Sequence, residues 1–172
     1  QTKEQLEVEY VLNAHATIVD AHTVTAAGKT FTSRNLVLGM GARPVWPEIP
    51  GLDLQGVHDF VTLVEELDYE PTSCVIIGGS KVAMEYGAFF HATGCTTTIV
   101  SRSPLMRTRS LHHIDEDLRQ YVVGGMRKRG MTVHEGAHPV RVNGEDGHVV
   151  SVTIRLESGE EVDLPTDFVF LG

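Results

Sequence analysis

Along the chain, the spacing of apolar residues switches between a period of two and a period near 3.6, and the switches divide it into elements. KEQLEVEYVL, residues 3–12, fits a strand or a short helix, and the alternation from about Glu7 favours a strand. ATIVDAHTVTA alternates on both sides of a polar turn near Asp20 to His22, the pattern of a hairpin. Gly28-Lys29 predicts another turn. FTSRNLVLGMG predicts a strand over Leu36 to Leu38 that stops at Gly39-Met40-Gly41. ARPVWPEIPGL then brings Pro44, Pro47 and Pro50 close together. Proline fixes φ and removes a backbone donor, so this stretch is neither a helix nor a central strand. It is expected to be a stiff linker with a domain boundary just behind it, dividing the chain into 1–54 and 55–172.

Beyond the linker a short helix is expected from Phe60 to Leu67. CVIIGGSK, residues 74–81, reads as strand, glycine turn and helix start. Val82, Ala83, Tyr86, Phe89 and Phe90 continue as an apolar stripe at helical spacing, and Gly94 suits the stop. TTTIV is a β-branched strand. Residues 115–129 predict a second helix, with Asp115, Glu116 and Asp117 at its start and Arg127, Lys128 and Arg129 at its end, the charge order that suits the helix dipole. Gly130 closes it and MTVHEG follows as a third strand. Residues 74–135 therefore alternate βαβαβ, the pattern of an α/β fold with a parallel sheet and right-handed crossovers. HVVSVTIRLESGEEVDL then alternates around Ser158-Gly159 as an antiparallel hairpin, and DFVFL ends the chain as a buried strand.

The strand-to-helix turn carries the candidate chemistry. A dinucleotide-binding turn has the form G-x-G-x-x-G/A; here the three slots hold Gly78, Ser80 and Ala83. The first glycine allows the tight turn, and alanine in the third slot lets helix and strand pack closely. Ser80 places a Cβ where backbone should approach a pyrophosphate, although its hydroxyl can donate to one. The turn thus reads either as a phosphate cradle or as an ordinary βα turn. Lys81, at the start of the helix, is disfavoured by the dipole unless an anion lies nearby. At the end of the next strand, IVSRSPLMRTR has no acid to take ribose hydroxyls. Ser101 and Arg102 stand there instead, followed by Arg107 and Arg109, an arrangement suited to the 2′-phosphate of NADPH.

Composition narrows the field. A net charge of −9 argues against nucleic acid, whose phosphates need a basic face. With 41% hydrophobic residues the chain can bury a core, yet no apolar run approaches the ~20 residues that cross a bilayer. Cys74 and Cys95 are expected to be buried, inert thiols in a reducing cytoplasm. His112 and His113 are read as surface residues with no partner ligands, so no metal is expected, and His134 and His138 receive no role. The chain begins at Gln1, which points to a processed protein or a piece of a longer one.

Read together, these motifs resemble the pyridine nucleotide-disulfide oxidoreductases, FAD flavoproteins that include dihydrolipoamide dehydrogenase, glutathione reductase and mercuric reductase. LVLGMGARPVWPEIPGL is similar to their second FAD-contacting segment around Gly41, with Gly39-Met40 replacing the usual Ala-Thr. LVEELDYEP, GGSKVAMEYG, FFHATG and TDFVFLG resemble a branch of the family that cleaves a thioether and carboxylates the ketone product. The resemblance implies a Rossmann-like NAD(P)-binding domain with an antiparallel β-meander at 55–172 and the β-rich tail of an FAD-binding domain at 1–54. It implies NADPH contacts at Gly78, Gly79, Ser80, Lys81, Val82, Ala83, Ser101, Arg102 and Arg107. It places Glu85 near the nicotinamide, Gly41 toward FAD, and Gly172 before a return to FAD-binding sequence. It also implies an enzyme acting on a small-molecule substrate, a homodimer when intact, with its redox cysteines outside this chain and its FAD site incomplete here. The alternatives are a dihydrolipoamide dehydrogenase-like or mercuric reductase-like reaction, or a non-catalytic dinucleotide-binding module.

Overall fold

The computed structural model describes residues 8–109 and 111–172. Contacts cluster into two compact units, Gln1–Arg43 and Pro44–Gly172. The first is an antiparallel meander of β1 (Ala16–Asp20), β2 (Thr23–Ala26) and β3 (Lys29–Thr32). Its first turn is closed by the His22 amide donating to Asp20 Oδ1 at 2.8 Å. The expected strand at Leu36 to Leu38 does not form, and neither does the part of the Glu7–Leu12 strand within the described residues. A strand needs a neighbour for its backbone groups, and none pairs with these residues among those described. Val37 remains 94% exposed.

The second unit is built on a parallel five-stranded sheet of order β4-β11-β5-β6-β7. Its strands are β4 (Val57–His58), β5 (Ser73–Ile77), β6 (Thr96–Ser101), β7 (Thr132–Glu135) and β11 (Phe168–Leu171). Among the described residues three helices accompany it: α1 (Thr62–Glu66), α2 (Lys81–Ala92) and α3 (Glu116–Lys128). A second, antiparallel sheet of order β10-β9-β8 is formed by β8 (His138–Glu145), β9 (His148–Arg155) and β10 (Glu161–Pro165). The βαβαβ reading of 74–135 is observed as parallel β5, β6 and β7 with α2 and α3 between them. Gly94 and Gly130 follow the helices with φ of +94° and +101°, the left-handed stop that glycine adopts freely.

Central strands read as continuous apolar runs because both faces are covered. Cys74, Ile76, Phe168 and Phe170 pack with Ala83 and Phe90 of α2 and Val123 and Met126 of α3. On the other face Val75, Val100, Val169 and Leu171 pack with Val142, Val149, Val152 and Ile154 of the antiparallel sheet. The hairpin around Ser158-Gly159 forms, and β8 joins it to make the antiparallel meander that the resemblance implied, although the spacing of apolar residues did not mark β8. Pro139 and a register shift between Pro139 and Arg141 mask its alternation.

The proline-rich stretch packs into the second compact unit, which begins at Pro44. The Val142 amide donates to Pro50 O at 2.8 Å, and a Cβ on Gly51 would lie 2.1 Å from Val142 O. Prolines that cannot pair in a central strand still offer carbonyls and apolar surface to a neighbour.

Asp167 clips β11 to β5. Its carboxylate accepts from the Thr72 and Ser73 amides at 3.0 and 2.9 Å and from their hydroxyls at 2.6 and 3.0 Å. Burial raises its pKa, but these four bonds together outweigh burial and hold it below the ordinary aspartate value. The sign follows: the stabilisation is fully present above the unfolded value near ~3.9 and is lost as pH falls through the lower folded value. Asp167→Ala, which leaves two backbone donors without their acceptor, is expected to cost about 2–4 kcal/mol in denaturant unfolding and to flatten the acid limb of stability below pH ~4.

Candidate functional site

The strands' carboxyl ends meet at one edge of the parallel sheet, and a cleft of about 660 Å³ opens there. Its lining includes Gly78, Gly79, Ser80 and Val82 from the turn into α2, Ser101 and Arg102 after β6, and Gly172 after β11. This is where a parallel α/β sheet receives ligands.

The glycines are required first by close packing. A Cβ on Gly78 would lie 1.9 Å from Gly172 O, and one on Gly172 would lie 2.8 Å from the Ala83 Cα. A Cβ on Gly79 would lie 2.3 Å from Ser101 Oγ. Three small residues therefore let the β5 turn, the end of β11 and the first turn of α2 converge, which explains alanine in the third slot. Ser80 is the N-cap of α2, with φ −81° and ψ 174°, and its Oγ accepts from the Ala83 amide at 3.3 Å. A serine cap contributes about 1 kcal/mol. The sequence signal was available: serine directly before a helical stripe is a capping residue.

α2 is 12 residues long and its N-terminus faces the cleft, where helix-opening amides and the dipole favour an anion. The loop bearing the arginines is tied to this turn. The Met106 amide donates to Gly79 O at 3.3 Å, and the Leu105 amide to Glu135 Oε1 at 2.7 Å. Glu135 in turn holds Arg119 at 2.8 Å and Arg127 at 3.1 Å.

The two arginines expected to act together have different surroundings. Arg102 is exposed and lines the cleft. Arg107 donates to Ile114 O at 3.1 Å and is ion-paired with Glu116 at the start of α3. Hydrogen bonds from Arg119, Arg107 and Gln120 pull the Glu116 carboxyl down to about 2. Lys81 pairs with Glu85 at 3.5 Å across one exposed turn of α2. Among the described residues, Lys81, Glu85 and Arg107 do not line the cleft. Ala83 lies beneath it, fully buried. Gly41 belongs to the first unit, with φ +78° and open space where a Cβ would stand.

The proline-rich stretch from Pro44 to Ile49 lines the cleft, as do Asp59, Phe60, His138 and Pro139. From the sequence the proline-rich stretch was read as a linker and, by resemblance, as part of an FAD-contacting segment, and His138 was given no role; none of these residues stands at a fixed spacing from the glycine turn that would have placed it at this cleft.

Cys74 and Cys95 are buried free thiols. Burial, with Cys95 and Asp167 nearby, pushes Cys74 far up; burial and Asp167 raise Cys95 to about 11. Neither is a thiolate nucleophile at neutral pH. Among the described residues no group of three or more His, Cys, Asp or Glu is placed to hold a metal ion, and no helix is long and apolar enough to cross a membrane.

Residues 2–172 match the sequence pattern of the family described as pyridine nucleotide-disulphide oxidoreductase. The chain belongs to that family. Among its relatives, a thioredoxin reductase from Emiliania huxleyi is 30% identical over 152 residues, covering 86% of this chain and 29% of the relative. A mercuric reductase from Lysinibacillus sphaericus is 28% identical, covering 88% and 27%. A ferredoxin reductase from Rhodopseudomonas palustris shares the fold with a TM-score of 0.77 at 20% identity, over 99% of this chain and 42% of that one. An FAD-dependent pyridine nucleotide-disulphide oxidoreductase from Desulfovibrio vulgaris superposes with a TM-score of 0.65 at 26% identity, over 92% and 42%. This pyridine nucleotide-disulphide oxidoreductase chain therefore spans between about a quarter and a third of the curated relatives' length.

The family uses FAD and a nicotinamide coenzyme. The cleft fits the phosphates of such a coenzyme on three counts: a helix N-terminus opens into it, the Ser80, Ser101 and Ser103 residues line it, and Arg102 supplies a cation.

Proposed function

We propose that residues 55–172 form the NADPH-binding module of a flavin-dependent oxidoreductase and that residues 1–54 contribute to its FAD-binding part through Gly41. The carrying observation is Arg102 on the wall of a cleft that also receives the α2 N-terminus, with no acid at the end of β6 to hold free ribose hydroxyls. In this reading the turn from Gly78 to Val82 holds the pyrophosphate and Arg102 the 2′-phosphate. Arg107 reaches that phosphate only by leaving Glu116. Bound there, the coenzyme would supply a hydride to a flavin, and Gly78 to Val82 and Arg102 would hold and orient it for that chemistry.

For the intact protein the finer reading is NADPH:2-ketopropyl-coenzyme M oxidoreductase/carboxylase. It is supported by the GGSK turn and by LVEELDYEP, FFHATG and TDFVFLG. A second reading, electron delivery to a disulfide or metal substrate as in thioredoxin, glutathione or mercuric reductases, is favoured by the names of the relatives. In either case we assign a homodimer in the cytoplasm. Isothermal titration with NADPH and NADH tests the coenzyme reading. NADPH is expected to bind at least tenfold more tightly. Equal affinities, or binding of neither, would overturn it.

A further inference from the structure

A second cleft, of about 750 Å³, lies along β4 at the edge of the parallel sheet. Only Trp46 is common to both clefts. The charge on this one is one-sided. Asp53, Glu66 and Asp68 stand exposed on its wall, and among the described residues none of the three is in an ion pair. No lysine or arginine lines it; the basic side chains there are His58 and His148. A fourth carboxylate, Asp167, is already taken up by Thr72 and Ser73.

Three exposed carboxylates alone would be a solvated rim; His58 is what points to a ligand. It lines the cleft, is only 7% exposed, and stacks on Phe168 with ring centroids 5.4 Å apart and planes 17° from parallel. Its Nδ1 is buried with no hydrogen-bond partner, and among the described residues no group bonds Nε2 either. The large majority of buried polar side-chain atoms are paired. A neutral imidazole carries one donor and one acceptor, so this ring leaves an acceptor for an N–H that a guest would bring. The two aromatic residues beside it are held in place. The Trp46 indole N–H donates to the buried Asp59 carboxylate at 2.6 Å, and the Tyr69 hydroxyl donates to Asp167 O at 3.1 Å. Gly56 lets that phenol close on the strand end, since a Cβ there would lie 3.2 Å from Tyr69 Oη and 3.0 Å from Asp167 O. Aromatic rings attract cations, and a guanidinium, flat and with five donors, can stack on a ring while bonding several acceptors at once. An ammonium has three donors and no plane.

We propose that this cleft binds an alkylguanidinium group, held by the carboxylates of Asp53, Glu66 and Asp68 and the free acceptor of His58, against Trp46 and Tyr69. The proposal does not depend on the NADPH reading. The guanidinium belongs either to a free small molecule or to an arginine in a part of the intact protein outside this chain, which spans only a fraction of its relatives' length.

The probes are ethylguanidinium and ethylurea, the same shape with and without the charge, titrated by NMR into the isotope-labelled chain at constant ionic strength. Trp46 is the single tryptophan and gives one indole N–H resonance. Ethylguanidinium is expected to shift it saturably, together with the Gly56 and Tyr69 amides, and to bind about tenfold or more tighter than ethylurea. His58→Phe, which keeps a ring on Phe168 and removes the acceptor, and Asp68→Asn, an exposed change that leaves the fold alone, are each expected to weaken ethylguanidinium about fivefold and to leave ethylurea unaltered. Equal affinity for the two probes, shifts that spread over the acidic surface without saturating, or unchanged binding in both variants would overturn the proposal. The same titration of the intact enzyme separates the sources. Saturable binding there means that the natural guest is a free small molecule; a cleft open in this chain but closed in the intact enzyme means that a resident arginine fills it.

Discussion

Gly78→Ala is expected to lower the melting temperature of the chain by roughly 5–15 °C and to abolish coenzyme binding in whatever folded fraction remains. The added Cβ would stand 1.9 Å from the carbonyl oxygen of Gly172. That atom is backbone, fixed in turn by the Gly172 amide donating to Ile77 O at 3.0 Å, so no side chain can swing away. The φ of +150° adds strain for any residue with a Cβ. Overpacking and backbone strain together amount to about 2–5 kcal/mol, and each kcal/mol moves the midpoint of a domain this size by about 2–4 °C. Gly124→Ala has the opposite sign. It lies within α3 with nothing near its Cβ position, so alanine should stabilise by about 0.5–1 kcal/mol through helix propensity. Thermal melts of the two variants side by side separate crowding at the turn from a general intolerance of alanine. Equal, small shifts would mean that the convergence of Gly78, Gly172 and Ala83 is not rigid.

Arg102→Ala is expected to weaken NADPH binding by roughly 10–100-fold and to leave NADH binding nearly unchanged. A charge-assisted bond to phosphate contributes about 1.5–3 kcal/mol, and NADH has no group at that place to lose it. The guanidinium is exposed, so rising salt should erode the NADPH preference of the wild type and have little effect in the variant. Arg107→Ala should have the smaller effect on binding, because its guanidinium is committed to Glu116 and Ile114 O. Calorimetry across a salt series distinguishes the two arginines. If both variants lose the same affinity, Arg107 leaves Glu116 when coenzyme binds.

Much of the second unit was legible because its signals are local. CVII and FVFL are runs of alternate residues facing two cores, which only a strand buried on both faces requires. Gly94 and Gly130 mark helix ends because a left-handed residue is needed there whatever surrounds it. The charge gradient of α3 is likewise a property of the helix alone. Where the reading missed, the deciding partner lay far along the chain. Leu36 to Leu38 has strand composition but no pairing neighbour among the described residues, whereas the two-residue β4 exists because β11 supplies one. β8 forms in spite of Pro139 because β9 pairs along it.

The candidate site divides in the same way. The sequence by itself determined the strand–turn–helix at Gly78 to Ala83 and the absence of an acid after β6, since both depend on residues a few positions apart. Only the tertiary structure decided that Arg102 faces the cleft while Arg107 is drawn to Glu116, and that Trp46 stands on the cleft wall fastened to Asp59. Backbone periodicity is set by near neighbours. The direction of a long or aromatic side chain is set by the charge or hydrogen-bond partner that folding brings to it, and no spacing in the chain records that.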